Sequence, residues 1–240
     1  MNFNVETRVN EIALSSPESR RILEDASVDY CCGGDKSLQE ACLRANVSAE
    51  MILNRLQQNR ERARSDEGGW TKAPLAELTR HIREGHHDYV RDVIPRLQGM
   101  LAKVREKHGS KHREIGEIEK LFADVAREML KHMQKEEQIL FPYIDALERA
   151  ANGNGAVEPP FFQTVRNPIY SMMQDHDAAG ELVRKIRAAG KGYQPPEDSC
   201  TTFKATYQEL QQFEEDLHLH VHLENNILFP RAVELEAAAV

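Results

Sequence analysis

Two stretches of this chain repeat one phrase. His132–Pro142 reads HMQKEEQILFP and His220–Pro230 reads HVHLENNILFP, each being His, three residues, Glu, three residues, Leu-Phe-Pro. A His-Asp pair precedes each copy, His87-Asp88 the first and His176-Asp177 the second. The offset between copies is 88 residues from His132 to His220 and 89 from His87 to His176. Two motifs recurring at a near-constant offset mark a duplicated unit, which predicts two helical hairpins. On a helix, residues i and i+4 share a face one turn apart. His132 and Glu136 therefore point the same way, as do His220 and Glu224. An imidazole and a carboxylate so placed can bind one metal ion, and a carboxylate can also bridge to a second.

Together the copies offer His87, His132, His176, His220, Glu136 and Glu224, a donor set that suits iron, manganese or zinc. A lone His-x3-Glu pair is an ordinary helix side-chain pairing. The argument for metal comes from the register of both copies and from the apolar stripes that contain them. One stripe runs Ile115, Ile118, Phe122, Val125, Met129, His132, Glu136 and Leu140. A second runs Ile169, Met172, His176, Ala179, Val183 and Ile186. A third runs Phe203, Leu210, Phe213, Leu217, His220, Glu224 and Ile227. Each places the candidate ligands toward the core. A buried, ionised Glu without partners is very costly, so two of them beside buried histidines call for a cation. A single zinc takes about four ligands, whereas six favour two ions, each with two His, joined by two bridging Glu and an oxo or hydroxo bridge.

The other six histidines stand outside this set. His86 and His87 both fit an apolar stripe, and only the repeat selects His87. His218 and His222 lack a Glu four residues on. His81 is a candidate proton-relay group. His108 and His112 fall in a turn and are expected to be solvated. Glu137 and Asn225 lie off the stripes.

The predicted organisation is all-α. Residues 1–62 form a small helical domain with helix starts at Ser16-Pro17, Ser37 and Ser48; its first helix carries Val5, Val9, Ile12 and Leu14, and its fourth Met51, Ile52 and Leu56. Residues 63–72 are a linker within the charged, glycine-containing stretch 60–72. Residues 73–240 form a four-helix bundle, with long helices over about 74–107, 113–147, 162–189 and 199–229. Pro95 should kink or break the first of these. A net charge of -8 argues against nucleic acid as a partner. No apolar run approaches the length needed to span a bilayer. The N-terminus lacks the basic and apolar regions of a secretory signal, and four cysteines in a chain this long fit a reducing cytoplasm.

At Asp29-Tyr30-Cys31-Cys32-Gly33-Gly34, at Lys135–Pro142 and at Leu223–Pro230, the chain resembles the hemerythrin-like di-iron proteins. More narrowly it resembles the repair-of-iron-centres family, which acts on iron-sulfur proteins damaged by nitric oxide or oxidants. The resemblance covers nearly the whole chain. It implies a non-haem di-iron centre with four His and two bridging Glu, mapped onto the six positions above. It also implies damaged iron-sulfur proteins and nitric oxide as partners; charge and hydropathy add the expectation of no nucleic-acid or membrane partner, and monomer and homodimer both stay open. A disulfide between adjacent Cys31 and Cys32 would be strained, because their Cα atoms are only about 3.8 Å apart. The resemblance makes them a redox or iron-handling pair; the alternative is a packed turn with cysteines as small apolar residues. Cys42 and Cys200 receive no role. Two rival functions stay open: sequestering nitric oxide or dioxygen, and enzymatic nitric oxide reduction at paired irons.

Overall fold

The structure, a computed structural model, describes residues 3–59, 69–155 and 157–239. Four short helices come first: α1 (Val9–Ser15), α2 (Pro17–Asp25), α3 (Leu38–Arg44) and α4 (Ala49–Asn59). Ser16 caps α2 by accepting from the Ser19 N–H. Ser37 and Glu40 form a reciprocal capping box on α3, which satisfies two backbone donors that have no partner within the helix. Val5 lies outside α1, and Met51 points to solvent. Ser37 pairs with Arg8 through an isolated antiparallel bridge.

The long helices follow as α5 (Leu75–His81), α6 (Asp88–His108), α7 (Glu114–Lys135), α8 (Phe141–Ala151), α9 (Arg166–Ala189), α10 (Thr201–Leu223) and α11 (Phe229–Ala239). Wide π turns join three pairs without a break, at Ile82–His87, Glu136–Leu140 and Glu224–Leu228. The result is a four-helix bundle, with α7 packed on α6 and α9 and α10 packed on α6. All the stripe residues predicted from periodicity are buried.

Several sequence expectations need correction. The first long helix is not interrupted at Pro95, which lies on the exposed face of a continuous α6. There the carbonyl left without a donor can turn to water. Its irregularity lies upstream, at Ile82–His87. The helix ending the second copy does not stop at Phe229 but continues to Ala239. After the first copy the helix passes Pro142 as expected and ends at Ala151, a few residues beyond the expected 147. In both copies a π turn precedes the proline, and the Phe N–H reaches back five residues, Phe141 to the Glu136 carbonyl and Phe229 to the Glu224 carbonyl. The wider turn lets the helix continue through a residue that lacks an N–H.

The third long helix starts at Arg166 rather than near Phe162. Its start is set by Glu236, which accepts the Val165 N–H at 2.8 Å and the Thr164 hydroxyl. Glu148 does the same for α5, accepting from Leu75 N–H at 2.6 Å and Ala76 N–H at 2.9 Å. These two carboxylates answer helix N-termini whose N–H groups have no partner within the helix. They are 88 residues apart, the offset of the repeated phrase.

Residues 63–68 of the expected linker lie outside the described residues. Residues 69–72 form a turn against the bundle, with the Trp70 carbonyl accepting from Arg231 and its ring stacked on His81 at 4.4 Å. His112 is buried rather than solvated, between Glu114 and Asp198, both at 3.2 Å. His108 is half-buried, with Nε2 3.2 Å from Cys200 Sγ. The long loop before Cys200 folds back over this end of the bundle, which hydropathy alone does not reveal. Among the described residues no helix is long and apolar enough to cross a membrane.

The apolar core of the N-terminal helices is continuous with that of the bundle: Ile12, Leu23, Tyr30 and Cys42 belong to the same cluster as Val125, Val183 and Leu217. Polar contacts fix the junction. Asn226 donates to the carbonyls of Tyr30 and Cys31 and accepts from Asn10 at 3.3 Å.

Candidate metal centre

The bundle brings all six predicted residues together. His87 sits at the end of the first π turn, His132 and His220 in the last turns of α7 and α10, His176 mid-way along α9, and Glu136 and Glu224 at the first positions of the other two π turns. Each is at most 1 % exposed. They form two groups, His87–Glu136–His220–Glu224 and His132–Glu136–His176–Glu224, that share both carboxylates.

Glu136 Oε2 lies 3.4 Å from His87 Nε2 and 3.2 Å from His132 Nε2. Glu224 presents one oxygen to each side, Oε2 at 3.0 Å from His176 Nε2 and Oε1 at 3.1 Å from His220 Nε2. The facing nitrogens are 3.3 Å apart for His87 and His220 and 3.1 Å apart for His132 and His176. Nitrogen ligands about 2.1 Å from a common ion and adjacent to each other are separated by roughly 3.0–3.4 Å. Neither carboxylate has a hydrogen bond of good geometry. Leaving four buried carboxylate oxygens so poorly satisfied would be costly, and cations shared between the groups satisfy them. The residues therefore fit a pair of metal ions. Without a cation, protons take that place. Burial lowers the affinity of His132 for a proton, but Glu136 and Asp175 more than reverse this and raise its pKa to about 10. Burial raises the Glu224 pKa, and His220 and His176 override it, holding the carboxyl well below its usual range. Metal loading must displace such protons.

Residues beyond the six orient the rings. His87 Nδ1 lies 2.8 Å from a Glu137 oxygen, which also accepts from Arg91. A carboxylate can only accept, so the Nδ1 carries the hydrogen and Nε2 keeps its lone pair for a ligand. Asp175 does this for His132 at 3.3 Å and is itself paired with Lys135. Asn225 serves His176: its Oδ1 is 2.9 Å from Nδ1, while its Nδ2 donates to the Cys31 carbonyl. A carbonyl can only accept, so the amide nitrogen faces Cys31 and the amide oxygen faces His176, which fixes the ring's tautomer. Among the described residues, His220 Nδ1 has no such partner; its ring stacks on His86 at 5.6 Å, and His86 pairs with Asp216. His81 lies further out, with its ring edge-on to His86. His218 lies between Glu24 and Glu214, and His222 beside Asn226.

Glu137 and Asn225 escaped the stripe analysis because each follows its Glu inside a π turn. The signal that could have found them is the offset, since they too are 88 residues apart. Asn225 links the centre to the N-terminal helices, and this can be tested. Asn225→Asp keeps the acceptor for His176 but replaces the donor to Cys31 with a repelling oxygen. Losing one such bond is worth about 1–2 kcal/mol. Backbone amides of residues 29–34 are then expected to exchange hydrogen roughly tenfold faster, with metal content retained. Unchanged exchange would refute the link.

Cys31 and Cys32 are not metal neighbours of the six. They line a cavity of about 100 Å³ whose wall also includes His176, Arg184, Glu214 and His218.

Comparison with known proteins follows the same division. Residues 77–232 match the Hemerythrin HHE cation binding domain, and residues 5–60 match a Domain of Unknown function (DUF542). The chain is 37 % identical over 226 residues to "Iron-sulfur cluster repair protein YtfE" of Salmonella typhimurium, covering 94 % of this chain and 96 % of that protein. It is 36 % identical to proteins of the same name in Salmonella paratyphi B and Salmonella newport, with the same coverage. The chain belongs to the hemerythrin-like family of iron-sulfur cluster repair proteins.

Proposed function

We propose that this chain repairs iron-sulfur clusters damaged by nitric oxide or oxidative stress. Its centre would hold two non-haem iron ions, completed by an oxo or hydroxo bridge: His87 and His220 would hold one, His132 and His176 the other, with Glu136 and Glu224 common to both groups. Residues 1–62 act as a module that carries the cysteine pair, residues 63–72 join it to the bundle, and the protein works in the cytoplasm on damaged iron-sulfur proteins. The separate family matches at 5–60 and 77–232 support that division, and four free cysteines suit a reducing compartment.

The observation that carries this reading is the shared cavity: His176 lines the same space as Cys31 and Cys32. The irons, when bound, supply exchangeable iron or a site that reacts with nitric oxide. The remaining features belong to the chain. Glu136 and Glu224, common to both ligand groups, would hold the ions through carboxylate oxygens that other donors can replace. His176 and its Asn225 partner set the side of the centre that opens toward the thiols. Cys32, half-buried, is the sulfur that a damaged protein can approach.

The test is protection of a nitric-oxide-treated iron-sulfur enzyme. Cys31→Ala/Cys32→Ala is expected to lose most of this protection while keeping its iron. Full protection by that variant would shift the function to sequestration of nitric oxide or dioxygen by the bundle alone.

A further inference from the structure

Away from the bundle centre, a second set of ligating atoms converges. A carboxylate oxygen of Asp29 and the sulfurs of Cys31 and Cys32 all lie within 4.8 Å of one another. Side chains of adjacent residues ordinarily diverge, as they do along a strand. Here the chain bends through residues 31–33 because Asp29 Oδ1 accepts the N–H groups of Cys31 at 3.1 Å, Cys32 at 3.0 Å and Gly33 at 3.1 Å. The bend brings the two sulfurs to 4.0 Å, and Cys31 Sγ lies 3.4 Å from Asp29 Oδ1. Two thiolates bound to one tetrahedral ion at about 2.3 Å are separated by roughly 3.8 Å. The pair is therefore already spaced to hold a cation between its sulfurs.

An ion there also suits the charge of the donors, one carboxylate and two sulfurs. A divalent cation binding to Asp29 and two thiolates releases two thiol protons and leaves one net negative charge. Arg184, on the wall of the same cavity, feels the charges of Asp29 and Cys32 and can offset it. The group is reachable, with Asp29 exposed, Cys32 half-buried and Cys31 buried. The adjoining cavity leaves room for a water or an incoming donor as fourth ligand. A turn that needed only to be shaped would use Asp29 alone and would not require two converging thiols.

We propose that Asp29, Cys31 and Cys32 form a metal site separate from the bundle centre, built to take a thiophilic divalent cation. Soft sulfur donors with one carboxylate suit zinc, cobalt or ferrous iron. That the natural cargo is ferrous iron rests on the repair reading above; the site itself does not.

The experiment adds Co2+ anaerobically to the full chain with its bundle centre already loaded with iron. One further cobalt per chain is expected, with a near-ultraviolet sulfur-to-cobalt charge-transfer band. Cys31→Ser and Cys32→Ser should each abolish the band. Asp29→Asn keeps an oxygen to shape the turn but removes the charge, and should weaken cobalt binding at least tenfold. The Glu136→Gln/Glu224→Gln variant should keep the band although its bundle centre is lost. Absence of the band in the parent chain overturns the site. So does its survival in Cys31→Ser/Cys32→Ser, which would assign it to Cys42 or Cys200, or unchanged affinity in Asp29→Asn. If instead the glutamate variant retains its iron, the bundle reading fails while the cysteine site stands.

Discussion

Glu136→Gln and Glu224→Gln are each expected to strip most of the metal from the chain while leaving it folded. Both carboxylates belong to both ligand groups, so either substitution removes a donor from both. Losing even a hydrogen-bond partner of a metal ligand commonly weakens binding 10- to 100-fold, so losing a shared ligand should exceed about 100-fold. The fold should survive because both side chains are fully buried and poorly hydrogen-bonded. In the metal-free chain they are like charges brought close together, and a neutral amide of the same shape relieves that repulsion. Metal should raise the melting temperature of the parent chain, since a ligand at a hundredfold its Kd stabilises the folded state by about 2.7 kcal/mol. It should leave the Gln variants unmoved. Metal analysis of protein purified without added metal or chelator checks this directly. About two irons per chain in the parent and nearly none in either variant is the expected result. Two irons retained in either variant would show that the carboxylates are not ligands.

The centre was largely legible in the sequence because the same constraint is written twice. One His and one Glu a turn apart are common, but a second copy in register, with its own His-Asp pair, is not. The repeat also chose His87 over His86, and the structure places His87 among the shared carboxylates while His86 turns to Asp216. What the sequence hid lies in the π turns. The fourth long helix reads as ending at Phe229, before Pro230, yet Pro230, like Pro142 in the first copy, lies inside a continuous helix. The extra residue in each turn absorbs the missing N–H. It also carries the following residue, Glu137 or Asn225, around to the back of a ligand histidine, where a regular 3.6-residue period does not put it. Contacts between distant segments were equally invisible. The burial of His112 depends on Asp198 folding back over it, and no local pattern specifies that. Glu148 and Glu236 are different, because their common offset was there to be read.

The asymmetry between the two copies also has a physical sense. Glu137, in the first copy, is charged and paired with Arg91 near the surface. Its counterpart Asn225 is neutral and can accept from His176 while donating to Cys31, which a carboxylate cannot do. Gln138 is exposed, whereas its counterpart Asn226 binds the Tyr30 and Cys31 carbonyls. The duplicated unit thus diverged where the N-terminal helices cover it, and the two asparagines of the second phrase form the seat for the cysteine turn.

Gly34→Ala is expected to unseat that turn without touching the metal. A Cβ at Gly34 would lie 2.6 Å from Asn226 Oδ1, 2.8 Å from the Tyr30 carbonyl oxygen and 2.9 Å from Asn10 Cβ. The Tyr30 oxygen is backbone, so moving the Asn226 side chain cannot relieve the clash, and Asn226→Ala should not rescue the variant. Overpacking of this kind typically costs 1–3 kcal/mol, and about 2 kcal/mol is expected here. Because the core of the N-terminal helices is continuous with that of the bundle, the loss should appear as a lower melting temperature of the whole chain. Gly33→Ala should be milder, since its nearest neighbour is the flexible end of Lys36 at 3.2 Å. All six metal ligands lie on other elements, so iron content should stay at the parent level. Protection of a damaged iron-sulfur enzyme should nevertheless fall toward that of Cys31→Ala/Cys32→Ala, because Asn226 can no longer hold the Cys31 carbonyl in place. This combination, metal kept and repair lost, separates the seating of the cysteine turn from the integrity of the centre. A Gly34→Ala chain with unchanged melting temperature and full protection would mean that the position of the turn over the cavity is irrelevant to repair.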